Sequence, residues 1–134
     1  MKTISRIFSV VFILCLVSCS AEDGDDGMDG NANVISSEWI PTNFSTTSVT
    51  FTSFAIQDEN INPENVANAA IIAHGRLFSN DEVVTIPYAR NSRFYYFSLS
   101  PDTNEIIFRA ENLIGNQSIF NDLTEVRYTI IPSN

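Results

Sequence analysis

From about residue 33 to its end, the chain alternates apolar and polar residues in short segments separated by turn residues. A period of two predicts half-buried β-strands, because successive side chains of a strand point to opposite faces. In the last segment, Val126, Tyr128 and Ile130 share one face. Seven segments are predicted as strands: NVISSEWI (33–40), VTFTSFAI (49–56), AIIAHGRLF (70–78), EVVTIPY (82–88), SRFYYFSLS (92–100), EIIFRAENL (105–113) and TEVRYTIIP (124–132).

Two local patterns modify this prediction. In 49–56 the alternation changes phase at Ser53, which indicates a β-bulge. Asn62, Pro63 and Glu64 form a helix start, since asparagine caps, proline suits the first helical position and an acid favours the positive end. The spacing leaves room for one short helical turn near 63–68, and 114–122 is predicted as a loop or short edge strand.

The predicted fold class is therefore all-β. We expect an antiparallel β-sandwich, or a partly open barrel, of about seven short strands with one short helical turn.

The amino terminus has a different pattern. Lys2 and Arg6 precede an apolar run of 11 residues, 7–17. This is too short for a transmembrane helix and typical of a signal peptide. The following Leu16-Val17-Ser18-Cys19 resembles the bacterial lipobox. That resemblance implies that 1–18 is removed and that Cys19, as the first mature residue, carries a diacylglycerol anchor in the bilayer; an ordinary secretory signal is the alternative.

Residues 19–32 are predicted to be an acidic, glycine-rich, flexible tether to a single domain at 33–134. Its glycines, Gly24, Gly27 and Gly30, recur every third residue. The tract is nevertheless too short and too poor in proline for a collagen helix. A weak calcium site is an alternative, but an EF-hand-like loop would need a glutamate near Val34. Its candidate ligands are Asp23, Asp25, Asp26 and Asp29.

Directly after the lipid cysteine, Ser20, Ala21, Glu22 and Asp23 resemble the acidic export signal of Bacteroidota surface lipoproteins. With INPENVANAAIIA, TIPYA and VRYTIIP, the chain resembles small Bacteroidota lipoproteins, many of them collagen-like. That family supplies no chemistry. The resemblance implies an outer-membrane, cell-surface location, with a periplasmic-facing location as the alternative.

Charge excludes some partners. The net charge is −9, and removal of Lys2 and Arg6 leaves five arginines against sixteen acids, or −11. Phosphate backbones repel such a chain, so we expect no nucleic-acid partner. With Cys19 lipidated and Cys15 removed, no thiol remains for a disulfide or a metal site. The acyl lipid is the only expected cofactor.

Catalytic chemistry has little support. His74 is the only histidine and is interpreted as structural or solvent-facing. The acidic pairs Asp58-Glu59 and Asp81-Glu82 fall in predicted turns. We expect no catalytic activity and no metal site. A hydrolase is the third alternative for the function, after an interaction module and a glycan-binding module.

The strongest binding feature is aromatic. Phe94 and Tyr96 would lie on one face of a strand, and Tyr95 and Phe97 on the other. If one face is open to solvent, Tyr95 or Tyr96 could offer a glycan platform there, and Trp39 and Tyr88 could join it; core packing is the alternative.

Two further predicted strands carry both arginines and glutamates. Arg109 and Arg127, with Glu105 and Glu125, would form a cross-strand charge ladder if their strands pair.

The predicted function is an envelope or interaction module, and the alternative is a glycan-binding module of a nutrient-capture system.

Overall fold

The structure, a computed structural model, describes residues 33–132. Its elements are β1 (Ile35–Ser36), β2 (Ile40–Pro41), β3 (Phe51–Gln57), α1 (Pro63–Ala67), β4 (Ala69–Leu77), β5 (Val83–Ile86), β6 (Tyr88–Arg90), β7 (Arg93–Ser100), a 3₁₀ helix (Pro101–Thr103), β8 (Glu105–Asn112) and β9 (Leu123–Pro132).

The strands form two antiparallel sheets. The five-stranded sheet has the order β1-β9-β4-β5, with β2 also pairing with β9, and the four-stranded sheet has the order β3-β8-β7-β6. The described residues form a β-sandwich and not a closed barrel, so the predicted fold class is confirmed.

More strands are present than the seven predicted, for two reasons. Segment 33–40 contributes two separate two-residue strands, β1 and β2. Segment 82–88 divides at Pro87, because proline has no N–H for the ladder. Its first part, β5, belongs to the five-stranded sheet. Its last residue, Tyr88, is the first residue of β6, which belongs to the four-stranded sheet.

Alternation along the strands builds the core. On β9, Val126, Tyr128 and Ile130 are all buried, which confirms the shared face predicted for them. Burying a large apolar side chain stabilises the fold by about 1.5–3 kcal/mol. The side chains with less than 2% exposure are Tyr95, Phe108, Ile61, Ile106, Ile130 and Val126.

The predicted bulge at Ser53 is wrong. β3 pairs with β8 in one unbroken register, from Phe51 opposite Glu111 to Gln57 opposite Glu105. The phase change arises because Phe51 points outward and is 43% exposed. The apolar residue at that position is therefore on the solvent face, and the strand is regular.

The short helix forms where its capping residues predicted it. The Asn65 N–H donates to Asn62 Oδ1 at 2.9 Å, and Pro63 occupies the first turn. The cap satisfies a backbone donor that has no partner inside the helix.

The sandwich has two distinct ends. The described chain enters at one, the entry end, which also carries α1 and the 3₁₀ helix and contains residues 33–34, 58–68 and 101–104. The opposite loop end comprises 42–48, 78–82, 91–92 and 113–122. Its loops are joined by hydrogen bonds from Leu113 N to Ser92 O and from Phe78 N to Asp122 O, both 2.8 Å long.

Candidate functional site

The candidate residues of the predicted anchor and tether lie outside the described part of the chain. These are the lipid-attachment residue Cys19, the export-signal candidates Ser20, Ala21, Glu22 and Asp23, and the calcium candidates Asp23, Asp25, Asp26 and Asp29.

The aromatic strand β7 divides its rings between the two faces as its alternation predicted. Tyr95 points into the core and is 1% exposed, whereas Phe94 and Tyr96 lie on the outer face. Tyr88, opposite Tyr95 on β6, also packs against the core, with its ring centroid 6.5 Å from that of Tyr95. Tyr95 is therefore a core residue, and Tyr88 is a partly buried residue packed against the same core.

Tyr95 has a structural partner for its hydroxyl group. The hydroxyl donates to Asp122 Oδ2 at 2.8 Å, and Arg93 Nη2 lies 3.0 Å from Asp122 Oδ1. Burial, followed by the hydrogen bond and charge of Asp122, raises the pKa of Tyr95. The tyrosine stays protonated and holds the loop before β9 to β7.

The outer face of the four-stranded sheet keeps one of the predicted platform residues. Tyr96 stacks on Phe94 with centroids 5.4 Å apart and planes 24° from parallel. Across the sheet, Arg109 stands opposite Tyr96, and Glu111 stands between Phe94 and Phe51. We call these five residues the aromatic face. Apolar rings beside an arginine and a glutamate suit a ligand with both apolar and hydroxyl groups.

Trp39 lies on the other sheet, among charged residues. The guanidinium carbon of Arg76 is 4.4 Å from its ring centroid and that of Arg127 is 5.0 Å away. Arg76 also forms a salt bridge with Glu125, and His74 stands opposite Arg127 in the β4–β9 register. We call these residues the Trp39 cluster.

Two polar atoms of the Trp39 cluster are buried without a hydrogen-bond partner among the described residues: His74 Nδ1 and Arg127 Nε. The sequence indicated neither, because the adjacency of His74 and Arg127 depends on the pairing of β4 with β9. The cations are held by the indole face, which is a stable arrangement for arginine.

The four candidate platform residues are thus divided among three surfaces. Tyr96 lies on one outer face, Trp39 lies on the other, and Tyr95 and Tyr88 line the core between them. Core packing, the alternative interpretation, is correct for Tyr95, and Trp39 does not lie beside Tyr96.

The predicted charge ladder is also wrong in its pairing. Arg109 on β8 and Arg127 on β9 belong to different sheets. Glu125 stands opposite Arg76, and Glu105 stands between Gln57 and Ser100.

Large apolar side chains are exposed at the loop end. Phe78 is 72% exposed, Ile114 66% and Leu113 59%. Beside Phe78, an open cleft of about 430 Å³ is lined in part by Phe44, Ile119 and Phe120. From the sequence, 114–122 is predicted as a loop or short edge strand and not as a binding surface. Its apolar residues, Ile114 and Ile119, were the available signal.

In the described range 33–132, no group of three or more acidic or histidine side chains is placed to hold a metal ion. That same part of the chain has no helix long and apolar enough to cross a membrane. Comparison with known proteins finds no matching family model, no matching curated protein and no matching solved structure.

Proposed function

We propose that this chain is a lipid-anchored, non-enzymatic interaction module of the outer membrane, displayed on the cell surface. The observation that carries the proposal is that the chain entry and several exposed apolar side chains lie at opposite ends of the sandwich. The described chain enters at one end, whereas Phe78, Leu113 and Ile114 are exposed at the other. A bilayer anchor at Cys19 would leave the loop end free to meet a partner.

The anchor is supported by the sequence Leu16-Val17-Ser18-Cys19 after a short apolar run. Cys19→Ser should abolish lipid attachment and move the protein out of the detergent phase, because a thiol ester or thioether lipid needs the sulfur. Cys15→Ser is the matched control, since it changes a cysteine of the predicted signal peptide and should keep the lipid. Equal detergent partitioning of both variants would contradict the proposal.

Surface display is supported by Glu22 and Asp23 directly after the anchor. Replacing both with alanine should leave the lipid in place and remove the protein from the reach of protease added to whole cells. Replacing Asp25 and Asp26 with alanine removes the same charge nearby and should preserve accessibility. Protection of neither variant would exclude the export signal.

Interaction through the loop end can be tested in intact cells with a photo-reactive residue. Placed at Phe78 or Ile114, it should give discrete cross-linked products. Placed at Glu64, an exposed residue at the entry end, it should not. Equal cross-linking from both ends would contradict the proposal that partners bind at the loop end.

Glycan binding is the second candidate, and the aromatic face favours it. Stacked rings beside Arg109 and Glu111 could hold a sugar by ring contact and hydrogen bonds. Polysaccharide binding that Tyr96→Ala abolishes and Tyr96→Phe retains would support it. Binding insensitive to Tyr96→Ala would exclude this face.

A further inference from the structure

The strand β3 forms an edge of the four-stranded sheet and has only β8 as a strand neighbour. It contains seven residues, FTSFAIQ, without a proline or a charged side chain. Its register with β8 is unbroken. Natural sheets protect their edges with short strands, prolines, charges or bulges, because an open edge can pair with another chain. β3 has none of these protections.

The other edges of the sandwich differ from β3. β6 has three residues and contains Arg90, and β5 has four residues and ends before Pro87. β1 and β2 have two residues each, and β2 contains Pro41. Each is therefore shortened or blocked. Among the described strands, β3 is the one built to accept a neighbour.

The backbone groups that face this open edge follow from two flanking hydrogen bonds. Asn112 N donates to Thr50 O at 3.0 Å, and Asp58 N donates to Asn104 O at 2.9 Å. In an antiparallel ladder, alternate residues bond to the same neighbour. Even-numbered residues of β3 therefore bond to β8, and the odd-numbered ones face away: Phe51, Ser53, Ala55 and Gln57.

The outward-facing backbone groups of these four residues have no hydrogen-bond partner within 33–132. The preceding connection touches β3 through inward side chains: Ser45 N donates to Thr52 Oγ1 at 2.9 Å, and Phe44 packs on Phe54. The edge thus presents a continuous row of donors and acceptors.

We propose that β3 pairs with β3 of a second copy of this chain, antiparallel about a two-fold axis at Phe54. Ser53 then lies opposite Ala55 and Phe51 opposite Gln57, so every outward-facing donor and acceptor meets its complement. The two four-stranded sheets become one continuous sheet.

Charge and shape favour a second copy over a foreign peptide. Copies of a chain with net charge −9 repel each other, and an isologous contact brings identical surfaces together. An uncharged strand is the surface on which this contact avoids like-charge repulsion. A foreign peptide needs pockets for alternate side chains, and the outward positions Ser53 and Ala55 are small and exposed.

Disulfide cross-linking of the full chain in intact cells tests this pairing and its register. Opposed residues of a hydrogen-bonded antiparallel pair have Cα atoms about 5.5 Å apart, within the range that a disulfide spans. Chains carrying Ser53→Cys and chains carrying Ala55→Cys, with different tags, should form a mixed dimer on mild oxidation. Neither variant should cross-link to itself, because Ser53 is diagonal to Ser53 across the axis.

The chain without an added cysteine is the control, since its only cysteines are Cys15 and Cys19. Any dimer formed through these two residues appears in that control, whether or not Cys19 carries lipid. The test is thus independent of the proposed function. Self-cross-linking of Ser53→Cys as efficient as the mixture, or no cross-link in any combination, overturns the proposal.

A second variant removes one edge donor without touching the fold. The Ala55 N–H faces away from β8, so Ala55→Pro should preserve the β3–β8 ladder and block the edge. The cross-link between Phe51→Cys and Gln57→Cys chains should be lost with Ala55→Pro and kept with Ala55→Ser, which retains the N–H. Unfolding by urea checks that both are folded. Persistence of the cross-link with folded Ala55→Pro contradicts edge pairing.

Discussion

Each end of the sandwich contains a tyrosine that reaches from one sheet to an aspartate beside a strand of the other. At the loop end, Tyr95 on β7 donates to Asp122, which immediately precedes β9, at 2.8 Å. At the entry end, Tyr128 on β9 donates to Asp58, which immediately follows β3, at 2.6 Å. We call these the loop-end pair and the entry-end pair. Both connect the two sheets.

The two pairs differ in what else holds the carboxylate. Asp122 is paired with Arg93, and the two side chains are 10% and 18% exposed. Asp58 instead accepts hydrogen bonds from Asn60, at 2.9 Å from the backbone and 2.8 Å from the side-chain amide. At the loop end the aspartate also forms an ion pair, whereas at the entry end its other hydrogen-bond donors are neutral.

This difference follows the local structure. Residues 113–122 form an irregular loop, and Arg93 also donates to Ile119 O at 2.8 Å, so one arginine orders several loop positions. The entry end has α1 and its own backbone bonds, such as Ile61 N to Asp58 O. Arg93 therefore ties this irregular loop to β7, and the loop end is sensitive to loss of the carboxylate that pairs with Arg93.

The largest expected effect is the loss of the Tyr95 ring. Tyr95→Ala should lower the free energy of unfolding by about 3–5 kcal/mol, because it leaves a cavity among Phe44 and Phe120. Tyr96→Ala, on the outer face of the same strand, should cost about 1 kcal/mol through lost stacking. Urea unfolding followed by the fluorescence of Trp39, the single tryptophan, measures both. Equal losses would contradict the opposite placement of the two rings.

Removing each carboxylate tests the contrast between the pairs. Asp122→Ala should cost about 3 kcal/mol, because Arg93 is left as a poorly solvated, unpaired charge. Asp58→Ala should cost about 1–2 kcal/mol, since it leaves neutral donors unsatisfied. The same unfolding measurement ranks them, and a larger loss for Asp58→Ala would reverse our interpretation of the two ends.

The features predicted correctly from the sequence are those that depend only on neighbouring residues along the chain. The alternation of Val126, Tyr128 and Ile130, the cap at Asn62, and the two faces of β7 all follow from neighbours along the chain. A strand's side-chain directions and a helix cap need no knowledge of which strands pair. These features are therefore present in the structure as predicted.

The misassigned features depend on strand order. Trp39 could be added to a platform on β7 only without knowing that β1–β2 and β7 belong to different sheets. The Tyr95–Asp122 and Tyr128–Asp58 pairs join residues far apart in sequence. The phase change at Ser53 suggested a bulge because the sequence does not show that Phe51 lies on the solvent face. Alternation along a strand shows which residues of that strand share a face. It does not show which residues of other strands lie beside them.

Removing only the hydroxyl group gives a smaller and more specific change. Tyr95→Phe and Tyr128→Phe keep the rings and should each lower the free energy of unfolding by about 1 kcal/mol. Combining Tyr95→Phe with Asp122→Ala should give less than the sum of the two, because both changes break the same hydrogen bond. Full additivity in this double-mutant cycle would show that the loop-end pair contributes no coupling.

The smallest expected effect is a pH dependence that belongs to the entry end. Burial raises the pKa of Asp58, but the hydrogen bonds from Tyr128 and Asn60 outweigh it and lower the pKa below the ordinary value of 3.8. A lowered folded-state pKa contributes stability above pH 3.8 that is lost as the pH falls through the folded value. The free energy of unfolding should therefore decrease below about pH 4. Tyr128→Phe should make this decrease shallower, whereas Tyr96→Phe should not. An identical acid slope in both variants would show that the Tyr128 hydroxyl does not stabilise the Asp58 carboxylate.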